Sequence, residues 1–313
     1  MSLYGGMPRV VWSLARALSD LKHKVYILCA KGSKCPFAQI VERNPELTIA
    51  QQIPADTDIV HFHSPVPSNF TFPFVETIHG NFNKNITINA VFLSHNHAQR
   101  FDSECFVYNG LDWNDAEYAN PNLSLVRSHY HFLGKAAWKV KNVQGAISVV
   151  KRLENAHLDV LGGNRFNFHM GWRFTLSRRI SFYGMCGGEQ KRSLLSGSRG
   201  LIFPVLWHEP FGLAVIESLY FGAPVFSTPY GALPEIVTAE VGAMSDSESE
   251  MAYIIANADF SPQQCHEYAR QKFSALQMAE GYMDKYEKVL SGQQLNLTLP
   301  HKLSAESKIV WRK

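Results

Sequence analysis

The sequence lacks cysteine pairs, long apolar runs and the glycine patterns of common nucleotide sites. Its five cysteines are scattered, odd in number and without a C-x-x-C pair, which is typical of a reduced, cytoplasmic protein rather than a disulfide scaffold. It contains no run of about 18 apolar residues that would predict a membrane-spanning helix, and it begins without a recognisable signal peptide. Neither G-x-G-x-x-G nor a Walker A sequence occurs, which argues against dehydrogenases and P-loop NTPases.

The charge balance is close to neutral. The chain has 313 residues, of which 46% are hydrophobic and 18% charged, with a formal net charge of +3. Residues 1–117 hold 9 Lys and Arg against 11 Asp and Glu, a net charge of −2 that leaves +5 for the remainder. The composition predicts globular structure, and the length predicts two domains. Neither half is basic enough to predict nucleic acid as a partner, whereas the excess in the second half suits an anionic ligand.

The most informative stretch is residues 201–237, LIFPVLWHEPFGLAVIESLYFGAPVFSTPYGALPEIV. An apolar run over 201–203 has the length of a buried strand, and a helix is predicted over 212–221 from apolar residues at helical spacing. A second strand over 224–227 leads through a turn to another helix that begins near Glu235. This repeated strand–turn–helix pattern predicts a parallel α/β sheet.

Two carboxylates flank the start of that helix. Glu209 and Glu217 are eight residues apart, about 12 Å along an ideal helix. Between them, the backbone amides of Phe211, Gly212 and Leu213 are free helix N-terminal donors, which favour phosphate. An acceptor on each side of an anion site suits a nucleotide-sugar, with its ribose, diphosphate and hexose. A glycosidase pair is disfavoured because its carboxyls lie only about 5–9.5 Å apart. An ordinary solvated role for Glu217 stays open.

The segment HEPFGLAVIESLYFGAPVFSTPYGALPEIV resembles the EPFGL…E…G-x-PV…G-x-x-PEIV signature of glycosyltransferase family 4. The resemblance extends over nearly the whole chain, from Gly5 to Leu290. It implies a GT-B fold of the α/β class, with two Rossmann-like domains that face each other across a cleft. It also implies a retaining, nucleotide-sugar-dependent transfer.

The first half offers a glycine pair and several histidines. Gly5 and Gly6 precede a predicted helix; they form either a simple turn or a phosphate cradle, and the resemblance favours contact with the donor diphosphate. His61 and His63 share one face of a predicted strand over 58–63, and the resemblance treats them as structural. The T-x-H-G match makes His79 the cleft histidine beside the donor sugar. A zinc site is disfavoured because no cysteine or carboxylate set accompanies the histidines at ligand spacing.

A Rossmann-like half normally has a strand before its glycine loop, and four residues are too few to supply one. We therefore expect either a truncated start, with Ser2 and Leu3 partly foreign, or a substitute strand such as residues 308–311. The predicted domains are 1–117, 118–290 and an uninformative polar tail over 291–313.

Lysines follow the first predicted strand of the second half, residues 129–133. Loop lysines are usually solvated, but cations between a strand and a helix can clamp a diphosphate. The segment resembles the family's G-R-L…K-[GN], which makes Lys135 and Lys141 the phosphate-binding pair. One extra residue before Lys141 keeps Lys139 as a rival. By resemblance, Gly162 and the backbone of Tyr183 and Gly184 lie near the nucleobase.

These features together predict a hexosyltransferase. Lys135, Lys141, the amides of residues 211–213 and the Gly6 amide would stabilise the departing diphosphate, while Glu217 binds the ribose and Glu209 a hexose hydroxyl. We expect no cofactor and no metal, and by family frequency a uridine diphosphate sugar as donor. The expected acceptor is a glycan, a glycolipid or another hydroxyl compound. Peripheral membrane contact stays open, although the charge of −2 gives no polybasic patch. The alternatives are an inactive nucleotide-sugar-binding subunit and a GT-B epimerase or phosphorylase.

Overall fold

The computed structural model describes residues 5–81, 85–167, 173–303 and 309–313. The chain divides into two compact units. The first comprises Met1–Asp112 and Phe273–Glu306, and the second comprises Trp113–Lys272 and Ser307–Lys313. The helix that closes the predicted C-terminal domain therefore lies with the first unit.

The first unit begins with a helix and continues with short parallel strands. Gly5, in extended conformation, precedes the first helix, whose buried face is formed by Val10, Leu14 and Ala17. The strands form two parallel sheets, β1–β2 and β3–β4–β5. The elements of this part of the chain are α1 (Gly6–Asp20), β1 (Tyr26–Cys29), β2 (Gln39–Glu42), β3 (Val60–Phe62), β4 (Phe74–Thr77), β5 (Ala90–Val91), α2 (His95–Gln99) and a 3-10 turn over Ala50–Gln52.

The second unit contains a six-stranded parallel sheet with helices between its strands. Its elements are β6 (His129–Leu133), α3 (Val143–Arg152), β7 (Leu158–Leu161), β8 (Phe166–Asn167), β9 (Arg173–Phe174), β10 (Ile180–Phe182), α4 (Gly188–Ser196), β11 (Ser198–Phe203), α5 (Leu213–Tyr220), β12 (Val225–Ser227), α6 (Leu233–Ile236), β13 (Gly242–Met244), α7 (Glu248–Asn257), α8 (Pro262–Lys272) and 3-10 turns over Ala116–Tyr118 and Lys139–Lys141. A last helix, α9 (Ala275–Leu290), returns the chain to the first unit.

The strand order of the large sheet is β10–β7–β6–β11–β12–β13. Numbered within the sheet, this is 3-2-1-4-5-6, the order of a doubly wound dinucleotide-binding fold. Most residues of its central strands are buried, as in parallel strands covered by helices on both faces, and every residue of β7 is buried. The predicted parallel α/β architecture is thus confirmed in this unit.

A capping residue separates the last two helices of the chain. Only two residues separate α8 from α9, and the Ser274 side chain accepts a hydrogen bond from the Gln277 amide and so caps the start of α9. In the first unit, α9 packs against α1 and β4. None of the helices in the described parts of the chain combines the length and apolar character needed to cross a bilayer.

The C-terminal segment differs from the prediction in two ways. Asn296 is buried, and its side-chain amide donates to the carbonyls of Ile88 and Ala90, so this part of the tail is anchored to the first unit. Val310 instead bonds to the Tyr230 hydroxyl in the second unit, at 2.9 Å from the amide. The described residues of the expected substitute strand over 308–311 therefore add no strand to the first unit, while Ser2, Leu3 and Lys308 lie outside the described residues.

Candidate functional site

The large sheet reverses its strand order between β6 and β11, which are hydrogen-bonded neighbours at its centre. In open α/β sheets, ligands bind outside the carboxyl ends of the strands at such a switch point. The turns that follow Leu133 at the end of β6 and Phe203 at the end of β11 are therefore the first place to look for a site. The predicted phosphate lysines follow the first strand, and Glu209 follows the second.

Glycines let three strand-to-helix turns touch one another at this edge of the sheet. Gly162 has a φ of +108°, and a Cβ atom there would lie 2.3 Å from the Gly134 carbonyl oxygen. A Cβ on Gly163 would lie 2.4 Å from the Cβ of Ala136. The Gly184 amide donates to the Gly163 carbonyl at 3.1 Å. Only glycine permits this close packing, which brings the predicted residue Gly162 beside Lys135 and Gly184.

A pocket of about 400 Å³ opens over these turns. That volume lies within the usual range for small-molecule sites. Its lining combines glycine backbone with a few polar and apolar side chains: Lys135, Ala136, Ala137, Val143, Gln144, Gly162, Gly163, Asn164, Arg165, Thr175, Phe182, Gly184 and Met185. The pocket thus includes Lys135, Gly162 and Gly184 of the predicted set and is large enough for part of a nucleotide.

The backbone predicted to contact a nucleobase is already engaged. The Tyr183 amide donates to the Val160 carbonyl at 3.0 Å, the Gly184 amide to Gly163, and the Gly184 carbonyl accepts from the Gly162 amide at 2.6 Å. These groups hold the turns together, and the pocket over them is also lined by Gln144 and Asn164, which the sequence prediction omitted.

The turn after β6 is tied to the turn after β11 by an asparagine. Asn142, in the left-handed conformation with a φ of 53°, accepts from the Gly145 amide and so caps α3. Its side-chain nitrogen donates to the Pro204 carbonyl at 2.9 Å, and the Leu206 amide donates to the Val140 carbonyl at 2.7 Å. These hydrogen bonds connect the 3-10 turn over Lys139–Lys141 to the segment after β11 that contains Glu209.

Lys141, and not Lys139, reaches Glu209. The Lys141 ammonium lies 2.6 Å from Glu209 Oε2, and the two side chains are 13% and 8% exposed. Trp207 Nε1 donates to the same carboxylate oxygen at 2.8 Å, and the Lys141 ammonium lies 4.7 Å from the centre of the Trp207 ring. Lys139 is exposed on the same turn. Of the two rival lysines, Lys141 is therefore the one beside the predicted sugar-binding carboxylate.

Lys135 is exposed at the mouth of the turn after β6, with its ammonium 5.2 Å from the centre of the Trp138 ring. Such a cation–π contact holds the flexible side chain in place at a modest energy. Lys135 and Lys141 thus each lie on a tryptophan face, and neither tryptophan was singled out from the sequence.

The turn between Glu209 and α5 leads directly into the helix N-terminus at which the sequence predicts phosphate binding. Gly212 has a φ of +103° and precedes Leu213, the first residue of the helix, while Phe211 is buried. Gly231 supports the turn from beneath: a Cβ there would lie 2.3 Å from the Glu209 amide nitrogen, and the Ala232 amide donates to the Glu209 carbonyl at 2.8 Å. The helix N-terminus therefore follows directly after a fixed Glu209.

Glu217 is not a solvated helix residue. It is 1% exposed, and its Oε1 lies 2.5 Å from the Lys191 ammonium, which also binds Glu117 at 2.9 Å. The Tyr118 hydroxyl donates to the same oxygen of Glu217 at 3.3 Å. A buried carboxylate needs such a partner, because an unpaired charge would be costly in this environment. The burial of Glu217 therefore excludes the ordinary solvated role that the sequence left open for it.

The predicted site residues of the first unit lie at the start of α1 and just after the end of β4. Gly5 and Gly6 stand at the start of α1, and His79 follows β4. The His79 ring nitrogen Nε2 lies 2.9 Å from Nδ1 of His63, and burial lowers the pKa of His79 to about 4. The predicted cleft histidine is therefore uncharged at neutral pH. No cluster of His, Cys, Asp or Glu within the described ranges is arranged to hold a metal ion.

Sequence reasoning missed Lys191, Trp207, Gln144 and Arg165. The sequence signal for Lys191 was weak, since a lysine on a polar helix is usually solvated. Arg165 spans the hairpin β8–β9 and donates to the Thr175 and Ile180 carbonyls at 2.6 and 2.7 Å. Of these residues, Trp207 had the best signal, because it lies two positions before Glu209 in the stretch over residues 201–237.

The second unit contains a recognisable enzyme domain. Residues 130–271 match the family model described as glycosyl transferases group 1, and this range includes the switch point, both lysines, Glu209 and Glu217. This match supports the predicted enzyme class: the chain is a glycosyltransferase.

Solved structures agree on the fold. The chain is 22% identical to AviGT4, a glycosyltransferase involved in avilamycin A biosynthesis, with a TM-score of 0.74 over 92% of this chain and 91% of that chain. It is 15% identical to sucrose-phosphate synthase from Thermosynechococcus elongatus, with a TM-score of 0.68 over 92% and 94%. Anabaena HepE in complex with UDP and glucose is 13% identical, with a TM-score of 0.59 over 90% and 96%. The curated proteins contained no match. These likenesses confirm the predicted GT-B fold.

Proposed function

We propose that this glycosyltransferase is a retaining enzyme of family 4 that moves a hexose from a nucleotide-sugar, preferably a uridine diphosphate sugar, to a hydroxyl acceptor. The observation that carries this proposal is the pairing of Lys141 with Glu209 at the switch point, directly before the N-terminus of α5. A diphosphate needs cations and amide donors, and the adjoining sugar needs a fixed hydrogen-bond acceptor; the turn after β6 supplies the cation, and the turn after β11 supplies the amides and the acceptor.

The proposed chemistry places positive charge where the leaving group becomes negative. The bond between the hexose anomeric carbon and the diphosphate breaks, and its electron pair leaves with the diphosphate. The acceptor oxygen bonds to the same carbon from the same face, and its proton passes to the departing phosphate oxygen. Lys135, Lys141 and the amides of residues 211–213 would stabilise the leaving diphosphate. In the first unit, the Gly6 amide and His79 keep the roles that the family resemblance gives them.

Each carboxylate receives one role. Glu209 would bind a hexose hydroxyl, because Lys141 and Trp207 orient it through one oxygen. Glu217, which forms an ion pair with Lys191, would bind the ribose hydroxyls. The proposed reaction needs no metal ion, since protein cations supply the positive charge.

The donor and acceptor classes have indirect support. The HepE structure with UDP and glucose supports a uridine diphosphate sugar as donor. The acceptor is proposed as a glycan or glycolipid hydroxyl, which suits assembly of a larger glycan. All five cysteines are unpaired, which supports a cytoplasmic location; contact with the inner face of the membrane is part of the proposal only for a lipid-linked acceptor.

Calorimetric titration with UDP, GDP, ADP and their common sugar conjugates, with and without chelator, tests the proposal. We expect chelator-insensitive binding of UDP and of one UDP-sugar, weakened at least tenfold (about 1.4 kcal/mol) by Lys141→Ala. The matched control is Lys151→Ala, an exposed lysine at the far end of α3, which should bind as wild type does. Binding of UDP-sugar without transfer to any glycan would contradict the transferase and indicate a binding subunit. Absence of binding to every diphosphate would refute the donor site itself.

A further inference from the structure

Three imidazole rings lie together in the first unit. His61 lies on β3 and His63 directly follows that strand. Their rings stack with centroids 4.2 Å apart and an interplanar angle of 27°. His79 follows the neighbouring parallel strand β4. The His63 Nδ1 atom lies 2.9 Å from His79 Nε2. The His79 ring has no other hydrogen-bond partner among the described residues.

Both rings of the hydrogen-bonded pair are neutral at physiological pH. Burial lowers the pKa of His79 to about 4 and holds the pKa of His63 well below its usual range. At 2.9 Å the two facing nitrogens must therefore share one proton, because two lone pairs or two N–H groups would repel each other. The proton position at this contact also determines the state of His79 Nδ1: it donates when His63 donates to Nε2, and it accepts in the other tautomer.

His63 is itself held in place from behind. His61 Nδ1 lies 2.7 Å from the Tyr286 hydroxyl, and its Nε2 lies 2.6 Å from Thr77 Oγ1. Thr77 Oγ1 in turn lies 2.8 Å from the Tyr282 hydroxyl. With both nitrogens bonded, the His61 ring cannot turn without losing two hydrogen bonds. It presents a fixed surface on which the His63 ring stacks.

We propose that His63 is a positioning residue for His79: it occupies Nε2 and thereby makes Nδ1 the nitrogen that His79 presents to the substrate. This inference rests on the proposed function only in that His79 acts beside the donor sugar. The same chain of contacts assigns a supporting role to His61, Thr77 and the two tyrosines of α9. A metal site is not an alternative reading of the histidines, since both His61 nitrogens are occupied and no described cluster has metal-binding geometry.

Nitrogen-15 NMR of the histidine rings in the full chain tests the geometry without any substrate. Long-range proton–nitrogen spectra report which nitrogen of each ring carries the proton. In the wild type we expect one proton between His63 Nδ1 and His79 Nε2 and a single tautomer for His79. His63→Phe keeps a ring for stacking on His61 but removes the nitrogen, and should convert His79 to a mixture of tautomers. His63→Asn places an amide near the lost Nδ1 and should restore one tautomer.

Kinetics separate this inference from the proposed function. We expect His63→Phe to lower kcat about tenfold by misplacing the ring, with the KM for donor little changed, and His63→Asn to recover most of the loss. The double variant His63→Phe/His79→Phe should be no slower than His79→Phe alone. A wild-type tautomer of His79 in His63→Phe, or additive effects in the double variant, would overturn the positioning role. An altered tautomer with normal kcat in both single variants would instead uphold the geometry and refute the catalytic role of His79.

Discussion

The ammonium of Lys141 lies 2.6 Å from Glu209 Oε2, joining the turn after β6 to the turn after β11. The pair has consequences for both proposed roles. A donor diphosphate that binds Lys141 draws the ammonium toward phosphate oxygen, while the Trp207 N–H still holds the carboxylate. Glu209 then has an acceptor oxygen for a sugar hydroxyl. In the free protein, each charge keeps the other from being buried alone.

Lys141→Ala should lower turnover more than tenfold. The variant removes a cation from the proposed diphosphate site, where negative charge would develop on the leaving group, and it leaves Glu209 without its ionic partner. Steady-state rates with the donor found by calorimetry measure the effect. Lys139→Ala is the matched control, two residues away on the same turn and exposed, and should retain more than half of the rate. Normal turnover in Lys141→Ala with a loss in Lys139→Ala would transfer the phosphate role to Lys139.

Trp207→Phe should weaken donor-sugar binding about tenfold. Phenylalanine retains an aromatic face for the Lys141 ammonium but loses the N–H that donates to Glu209 at 2.8 Å, and a hydrogen bond to a charged group contributes about 1.5–3 kcal/mol. The loss should affect the UDP-sugar more than UDP, because Glu209 is the proposed contact of the hexose. Calorimetry with both ligands measures this difference.

Trp138→Phe is the control for that prediction. It keeps an aromatic face beneath Lys135 and should bind both ligands as wild type does. Equal affinity of Trp207→Phe and wild type for the UDP-sugar would show that Glu209 is oriented without the indole.

The sequence predicted the strands over residues 129–133 and 201–203 of the second unit, and residues 201–203 form an apolar run that is buried in the structure. It could not choose between Lys139 and Lys141. That choice depends on the left-handed Asn142 and its bond to the Pro204 carbonyl, 62 residues away. The environment of Glu217 could not be predicted from the sequence either, because Lys191 and Glu117 lie 26 and 100 residues away from it in the chain. Local patterns therefore gave the elements, while the ion pairs required the fold.

Lys191→Met should destabilise the second unit by about 3–5 kcal/mol, because it leaves the buried Glu217 carboxylate without its cation. Urea unfolding followed by tryptophan fluorescence measures the loss, since Trp113, Trp138 and Trp207 all lie in this unit. Lys191→Met/Glu217→Gln should recover part of the stability by removing the unpaired charge. Arg270→Met breaks an exposed pair with Glu267 and should change stability by less than about 0.5 kcal/mol. A similarly small effect in Lys191→Met would mean that Glu217 is not held by this contact.

The first unit should become less stable in mild acid, because His97 binds a proton in the unfolded chain but not in the folded one. Its ring is fully buried, with Nε2–H donating to the Gly80 carbonyl at 3.2 Å and Nδ1 accepting from the Leu93 amide at 3.3 Å. Burial lowers the pKa of His97 from the usual 6.5 to about 3. Between these values the unfolded chain binds a proton that the folded chain does not, so stability rises with pH and falls by about 1.4 kcal/mol per unit of acidification.

In the His97→Gln variant the unfolded chain has no group at this position that binds a proton. A glutamine amide can still donate to the Gly80 carbonyl, but it does not titrate. We expect the free energy of unfolding of the variant, measured in urea from pH 7 to pH 4.5, to fall less steeply with acid than that of wild type, by about 1.4 kcal/mol per pH unit. Its stability at pH 7 is itself expected to be lower, so the slope and not the level is the test. His23→Gln alters an exposed histidine of the same unit and should leave the slope of wild type unchanged. Equal slopes of unfolding free energy against pH for all three proteins would mean that His97 is protonated as readily in the folded chain as in the unfolded one. That result would contradict the hydrogen bonds that its neutral ring makes.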